Sequence, residues 1–204
     1  MSTPHYFSEG PASEAQVRER TVRLRDRQYG VVTSSGVFSA DRLDRGTAVL
    51  LSRVPAPAVG EGDLAVDVGC GWGPITLALA AEAPAADVWG VDVNARARDL
   101  TRENLRRAGL TASVLSPDEA FAALDGRRIR LIWSNPPVRI GKPALHALLD
   151  SWIERLADDG AAYLVVQRNL GADSLHRWMA ERGWGCERVA SSKGYRVLSV
   201  RRRG

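Results

Sequence analysis

The sequence predicts an α/β fold with a seven-stranded, mostly parallel sheet, one antiparallel strand and helices on both faces. From Asp63 onward, short apolar runs alternate with segments of helical length, an order typical of parallel sheets. A glycine-rich turn joins the first apolar run to the first helix, as in ligand-binding sheets of this class. A Lys193-Gly194 turn separates the last two runs, which are therefore expected to be antiparallel.

Residues 1–54 are expected to form an N-terminal extension that packs on a core domain of residues 55–204. The residues before Val17 are polar and are expected to be loosely ordered, with an anchor at residues 5–7. Two alternating segments, Thr21–Leu24 and Gln28–Val32, predict a short β-hairpin. Asp44 is placed to cap a helix that runs to about Arg53, and a proline- and glycine-rich connector leads into the core.

The core domain is expected to contain strands and helices in strict alternation up to its last two strands. The predicted elements are a strand at 64–68, a helix at 74–83, a strand at 87–91, a helix at 95–108, a strand at 111–115, a helix at 119–124, a strand at 128–133, a helix at 143–158, a strand at 161–166, a helix at 172–182, and strands near 186–190 and 195–201. Asn94 and Gly109 are the expected caps of the longest helix. The carboxyl ends of the parallel strands should line one crevice.

Composition indicates a globular protein of the cytoplasm. No apolar run approaches the roughly 18 residues that a membrane span needs, and the N-terminus lacks the apolar segment of a signal peptide. Cys70 and Cys186 are the only cysteines, too few for a disulfide framework or a zinc cluster. The net charge is +4, and arginines crowd residues 18–27 and 201–203. These clusters are either an RNA-binding surface or a solvated face.

The glycine-rich turn follows the apolar run Leu64–Val68 and places Gly69, Gly71 and Gly73 before a helix that Pro74 begins. A dinucleotide fingerprint is excluded because its third glycine would fall at Pro74. A phosphate-binding loop is excluded because no Gly-Lys-Ser/Thr follows. Asp67, two residues before Gly69, would repel a pyrophosphate and favour an ammonium or sulfonium ligand. The alternative is a glycine turn without a ligand. The pattern resembles motif I of class I S-adenosylmethionine (SAM) methyltransferases, which have a Rossmann-like sheet.

Further residues at the predicted strand ends suit the parts of SAM. Asp92 lies 23 residues after Gly69 and is expected to bind both ribose hydroxyls. Its other role would be to cap the next helix, for which Asn94 is better placed. Val93 is expected to pack on the adenine, while Asp118 either accepts the adenine amine or begins a short helix. The predicted cofactor-binding residues are Asp67, Gly69, Cys70, Gly71, Gly73, Asp92, Val93, Asp118 and Asn135.

The stretch Asn135-Pro136-Pro137 follows the fourth core strand. The two prolines remove backbone donors and restrict their neighbours, so that Asn135 is held rigidly at the strand end. Its side-chain oxygen would accept a hydrogen bond from a substrate amine and direct the nitrogen lone pair towards a methyl group. The alternative is a stiff loop in which Asn135 bonds only its own backbone. Asn135, Pro136 and Pro137 are the predicted catalytic residues.

From about Phe38 to Arg201 the chain resembles the methyltransferase small domain, the catalytic domain of small-subunit ribosomal RNA guanine-N(2)-methyltransferases. The matching stretches are residues 37–39, 44–47, 67–74, 92, 135–137 and 141–142. Relatives that methylate amines carry an aromatic residue where this chain has Val138, and Tyr6, Phe7 or Phe38 would have to supply the ring that stacks on the base. The predicted substrate-binding residues are Phe38, Val138, Arg139 and Lys142, the last two either binding a phosphate or beginning a helix.

The resemblance implies a SAM-dependent enzyme that methylates the exocyclic amine of a guanine in ribosomal RNA, with RNA as the partner and no metal. Two alternatives remain open at this stage. A protein glutamine methyltransferase of the release-factor type would use the same turn, although those enzymes usually carry tyrosine at the position of Val138. A catalytically silent assembly factor that binds SAM and RNA is the other alternative.

Overall fold

A seven-stranded sheet organises the part of the chain that the structure, a computed structural model, describes: residues 17–35, 37 and 42–202. The elements are β1 (Val17–Leu24), β2 (Arg27–Ser34), α1 (Arg45–Arg53), β3 (Leu64–Val68), α2 (Pro74–Glu82), β4 (Asp87–Val91), α3 (Ala95–Ala108), β5 (Ser113–Leu115), α4 (Pro117–Leu124), β6 (Ile129–Ser134), α5 (Lys142–Ile153), β7 (Leu156–Gln167), α6 (Ala172–Glu181), β8 (Gly185–Ser192) and β9 (Tyr195–Arg201). Short 3-10 helices occupy Val138–Ile140 and Arg168–Leu170.

The strand order is β5-β4-β3-β6-β7-β9-β8, and β9 runs antiparallel to both of its neighbours while the other pairs are parallel. The predicted fold class, including the hairpin β1–β2, is therefore confirmed. The chain crosses from one side of β3 to the other between β5 and β6, which makes β3 and β6 the switch point of the sheet. Ligands of open α/β sheets bind outside the carboxyl ends of such strands. Here those ends lead into the glycine turn and into Asn135.

Two apolar layers cover the sheet. One face packs against α1, α2, α3 and the hairpin around fully buried residues such as Leu50, Leu77 and Leu79. The other face packs against α4, α5 and α6 around residues such as Trp152 and Leu156. All five residues of β3 are buried, as expected for a central parallel strand that is covered on both sides.

The hairpin is fastened to the core through Asn104 of α3, a fully buried polar residue. Its Oδ1 accepts a hydrogen bond from the backbone N–H of Val32 at 2.7 Å, and its Nδ2 donates to the carbonyls of Val32 at 2.9 Å and Trp72 at 2.8 Å. Arg25, in the hairpin turn, donates to the Leu51 carbonyl at the end of α1. These hydrogen bonds join the extension to the core, and the apolar residues of the hairpin belong to the same buried layer as those of α1, α2 and α3.

The predicted boundary between α5 and the next strand was wrong. The sequence predicted a helix to Asp158 and a strand from Ala161, whereas α5 ends at Ile153 and β7 begins at Leu156. Leu156 pairs with Ile129, and both are fully buried. An added Cβ at Gly160 would lie 2.7 Å from the Ile129 carbonyl oxygen, so glycine lets the bulged strand approach β6 closely. Tertiary pairing thus overrides the helical preference of residues 154–158.

Smaller differences have local causes. The helix predicted from Glu119 begins at Pro117, because Ser116 and Glu119 form a capping box around its first turn. The strand predicted from Thr111 begins at Ser113. None of the helices in the described ranges has the length and apolar composition needed to cross a bilayer. Met1–Gln16 and Phe38 lie outside the described residues, and with them the expected anchor at residues 5–7 and one predicted substrate residue.

Candidate active site

The glycine turn brings the backbone to the edge of a cavity without side chains in the way. Gly71 has a φ of 59°, in the left-handed region that favours glycine, and a Cβ added there would meet no atom within 4 Å. Gly73 has a φ of 93°, and a Cβ there would lie 3.0 Å from the Thr101 side chain. The turn is held by the Val91 carbonyl, which accepts hydrogen bonds from the N–H groups of Gly69 and Cys70.

Asp92, at the end of β4, fixes this turn from the side. Its Oδ2 accepts a hydrogen bond from the Gly71 N–H at 2.9 Å, and its Oδ1 accepts from the Asn94 N–H at 2.9 Å. Asn94 caps α3 by accepting from the Arg96 N–H, as the sequence predicted. Each Asp92 oxygen keeps a second lone pair, so the carboxylate still has capacity for two further donors.

Asp67 lies beneath the turn and does not line the cavity. It is fully buried, its Oδ2 accepts a hydrogen bond from the Thr76 hydroxyl at 2.7 Å, and its Oδ1 has no partner among the described residues. Burial raises the pKa of Asp67 from its ordinary 3.8 to about 7, an effect that the Thr76 hydrogen bonds reduce and the charge of Asp92 increases.

This pKa makes stability depend on pH in a defined direction. Between about pH 4 and pH 7 the folded chain keeps the Asp67 proton while the unfolded chain releases it, so this group's contribution to the free energy of unfolding falls as pH rises. We expect the free energy of unfolding of Asp67→Asn to rise by about 4 kcal/mol relative to that of the wild type between pH 4 and pH 8. Denaturant titrations of both proteins at each pH measure the difference. A difference that stays constant across this range would contradict the assignment.

Asn135 is oriented by the first turn of α1. Its Nδ2 donates to Asp44 Oδ2 at 2.8 Å and to Thr47 Oγ1 at 3.0 Å. A carboxylate accepts only, which assigns the amide nitrogen to this side and leaves Oδ1 without a described partner. Asp44 Oδ2 also accepts from the Thr47 N–H at 3.0 Å, so the residue that caps α1 also orients Asn135. Ser134, just before it, ties β6 to the Val68 carbonyl of β3.

Gly46 permits this arrangement because it has no side chain. A Cβ at Gly46 would lie 2.9 Å from Asp44 Oδ2, 3.1 Å from a Tyr195 ring carbon and 3.3 Å from Asn135 Oδ1. These three groups therefore surround one point at the start of α1. Contacts this short would require the neighbouring side chains to move.

A cavity of about 490 Å³ joins the glycine turn to the Asn135 turn. Its volume lies within the range typical of small-molecule sites. The predicted residues on its wall are Gly69, Cys70, Gly71, Asp92, Val93, Asn135, Pro136, Pro137, Val138 and Arg139. The predicted residues away from its wall are Asp67, Gly73, Asp118 and Lys142; Pro117 lines the cavity next to Asp118.

Apart from the helix cap Asn94 and the buried Trp72 and Trp152, sequence reasoning missed four polar or aromatic side chains on this wall: Asp44, Thr47, Gln167 and Tyr195. Asp44 was interpreted as a helix cap, and residues 44–47 as a stretch that matches the family, but neither Asp44 nor Thr47 was predicted to line the site. Tyr195 begins an antiparallel strand, and the start of such a strand lies at the same edge as the ends of its parallel neighbours. That signal was present in the predicted turn at residues 193–194.

The profile of the methyltransferase small domain matches residues 28–199. The chain belongs to this family. As a methyltransferase small domain protein it is an enzyme that uses SAM as its cofactor, and the resemblance stated from the glycine turn and the Asn-Pro-Pro stretch is confirmed.

Among its relatives, the uncharacterized protein YbxB of Bacillus subtilis (strain 168) is 33% identical over 199 residues, covering 97% of this chain and 98% of that protein. The ribosomal RNA small subunit methyltransferase C of Pseudomonas aeruginosa (strain LESB58) is 35% identical over 199 residues, covering 94% and 57%. The solved T. thermophilus 16S rRNA N2 G1207 methyltransferase (RsmC), in complex with AdoMet and guanosine, superposes with a TM-score of 0.80 at 25% identity, covering 96% and 53%. The methyltransferase small domain chain thus spans little more than half the length of the last two.

Proposed function

We propose that this methyltransferase transfers the methyl group of SAM to the exocyclic N2 amine of a guanine in ribosomal RNA. The observation that carries the proposal is the orientation of the Asn135 amide. The Asn135 amide nitrogen already donates to Asp44 and Thr47. The atom that remains for hydrogen bonding to a methyl-accepting substrate is therefore the amide oxygen, Oδ1. A carbonyl oxygen binds N–H groups, which suits an amine acceptor and not a carbonyl or a carboxylate.

The residues on one side of the cavity fit SAM. Gly69 and Gly71 leave open space above the turn, and Asp92 retains lone pairs for two ribose hydroxyls. Val93 lines the cavity and is 76% exposed, so it offers an apolar surface to the adenine. Pro117, with Asp118 beside it, closes this side of the wall, and Asp67 and Gly73 support the turn from below.

The protein contributes to the reaction by positioning the acceptor amine against the methyl group of SAM. Bound SAM provides a methyl group on a positively charged sulfur. The lone pair of the guanine amine is delocalised into the ring, so the nitrogen must be held in line with that methyl group. Asn135 Oδ1 does this by accepting one N–H. The Pro136 carbonyl accepts the Val138 N–H at 2.8 Å and keeps a second lone pair, so it can accept the other N–H of the amine beside Asn135 Oδ1.

Charge at the entrance of the cavity supports an RNA acceptor. Six exposed cationic residues either line the cavity, as Arg139 does, or lie within three positions of a lining residue in the sequence, and none forms an ion pair with a described residue: Arg42, Arg45, Arg139, Lys142, Arg168 and Lys193. Exposed cations of this kind bind phosphates of a nucleic acid backbone. The names of the P. aeruginosa and T. thermophilus relatives point to the same substrate class.

The test is methyl transfer from labelled SAM to ribosomal particles and to free ribosomal RNA from a strain that lacks the gene. Mass spectrometry of the nucleosides should show N2-methylguanosine only when the protein is added. Label in protein glutamine would select the release-factor type of activity. SAM binding without transfer to any acceptor would indicate the silent assembly factor. Label in a nucleoside other than guanosine would contradict the proposal.

A further inference from the structure

Tyr195 gives the cavity an aromatic surface that the family's pattern places elsewhere. Three aromatic side chains of the described residues line the cavity, and two of them, Trp72 and Trp152, are 2% exposed and belong to the core. Tyr195 is half-buried, and its ring lies beside the point that Gly46 shares with Asn135 Oδ1. It is therefore the accessible ring next to the proposed catalytic amide.

Gln167 stands next to Tyr195 on the neighbouring strand. The two residues pair directly across the antiparallel strands β7 and β9, so their side chains project from the same face of the sheet. Both line the cavity, and the Gln167 side chain has no hydrogen-bond partner among the described residues. A ring and a side-chain amide are thus held side by side on a paired strand end, which is a rigid support.

We propose that Tyr195 and Gln167 form the subsite for the target base, with the base stacked on the Tyr195 ring and its Watson–Crick edge bound by the Gln167 amide. This inference rests on the proposed function and identifies which residues select the acceptor. It also explains how an aromatic contact is available although Val138 occupies the position where amine-methylating relatives carry a ring. The base must leave its stack to reach this position.

The chemistry of the pair favours guanine. The Gln167 amide presents one donor side and one acceptor side, which match O6 and N1–H of guanine while the N2 amine remains for Asn135. Adenine with its amine at Asn135 would offer the Gln167 amide a single acceptor, N1. A site that forms two hydrogen bonds with the correct edge rejects a base that satisfies only one.

Three variants test the subsite: Tyr195→Leu, Gln167→Leu and, as the matched control, Tyr163→Leu. Tyr163 is another half-buried tyrosine of the same strand pair that does not line the cavity. Each is assayed for KM and kcat with ribosomal RNA from the gene-deficient strain, for SAM affinity, and for affinity to guanosine monophosphate in the presence of S-adenosylhomocysteine. Tyr195→Phe keeps the ring and should behave as the wild type.

We expect Tyr195→Leu to raise KM for RNA and to weaken guanosine monophosphate binding by about tenfold to a hundredfold, the usual effect of losing a stacked ring. SAM affinity should not change. Gln167→Leu should reduce the preference for guanine over 2-aminopurine, which keeps the amine but lacks N1–H and O6. The control variant should resemble the wild type in every measurement.

The outcomes separate this inference from the proposed function. If the wild type methylates guanine and Tyr195→Leu is unimpaired, the subsite is wrong and the function stands. If the wild type methylates no guanine, the function fails, and the nucleotide titration alone decides the subsite. Equal guanosine monophosphate affinity in the wild type and in Tyr195→Leu would overturn the proposed subsite.

Discussion

Replacing Asn135 with alanine is expected to lower kcat for methyl transfer by about a hundredfold to a thousandfold, because the acceptor nitrogen is no longer held in line with the methyl group. The effect should fall on kcat more than on SAM affinity, since Asn135 directly follows β6 and the glycine turn is fixed by β3, Asp92 and the Val91 carbonyl. Single-turnover measurements with saturating SAM and RNA isolate this step.

The control for this substitution is Asn169→Ala, which changes an exposed asparagine in the nearby 3-10 helix that does not line the cavity. It should retain wild-type turnover. Asp44→Asn is a companion variant that removes the negative charge at position 44 and keeps the hydrogen bonds. An amide oxygen there would still accept from the Asn135 Nδ2 and the Thr47 N–H. Asn135→Ala with undiminished transfer would remove the basis of the proposed mechanism.

Gly46→Ala is expected to reduce kcat/KM by about tenfold while the fold is retained. In the first turn of a helix, alanine is ordinarily better than glycine by up to about 1 kcal/mol. Here the methyl group would lie 2.9 Å from Asp44 Oδ2 and 3.3 Å from Asn135 Oδ1, so both groups must move from their hydrogen-bonded positions. A misplacement of about 1 Å in a positioning group commonly costs two orders of magnitude in rate, so shifts of a few tenths of an ångström should cost about one.

Thermal unfolding and SAM affinity, measured beside activity, distinguish this effect from a general loss of structure. Gly60→Ala is the matched control, since a Cβ at Gly60 would meet no atom within 4 Å and its backbone is not in the left-handed region. An active Gly46→Ala protein would mean that the Asp44–Asn135 arrangement does not need to be rigid. A protein that loses activity and stability together would also contradict the expectation.

Local sequence signals accounted for the elements around the cofactor side of the cavity. The boundaries of β3, β4 and α3 were predicted correctly, because apolar runs, glycines and the Asn94 cap act over a few residues. The boundary between α5 and β7 was not, because it depends on the pairing of Leu156 with Ile129, 27 positions away in the sequence. Strand pairing over such a distance leaves no local pattern.

The sequence by itself determined the family, the strand–turn–helix at residues 64–82 and the stiff turn at Asn135, since each is a property of contiguous residues. Tertiary structure alone decided which way the Asn135 amide points, because its partners Asp44 and Thr47 lie 91 and 88 positions away. It also decided that Asp67 lies beneath the turn and that Tyr195 and Gln167 face the cavity. Hydrogen-bond direction and burial depend on which elements meet in the folded chain, and only the packing of α1 and β9 at the sheet edge establishes that.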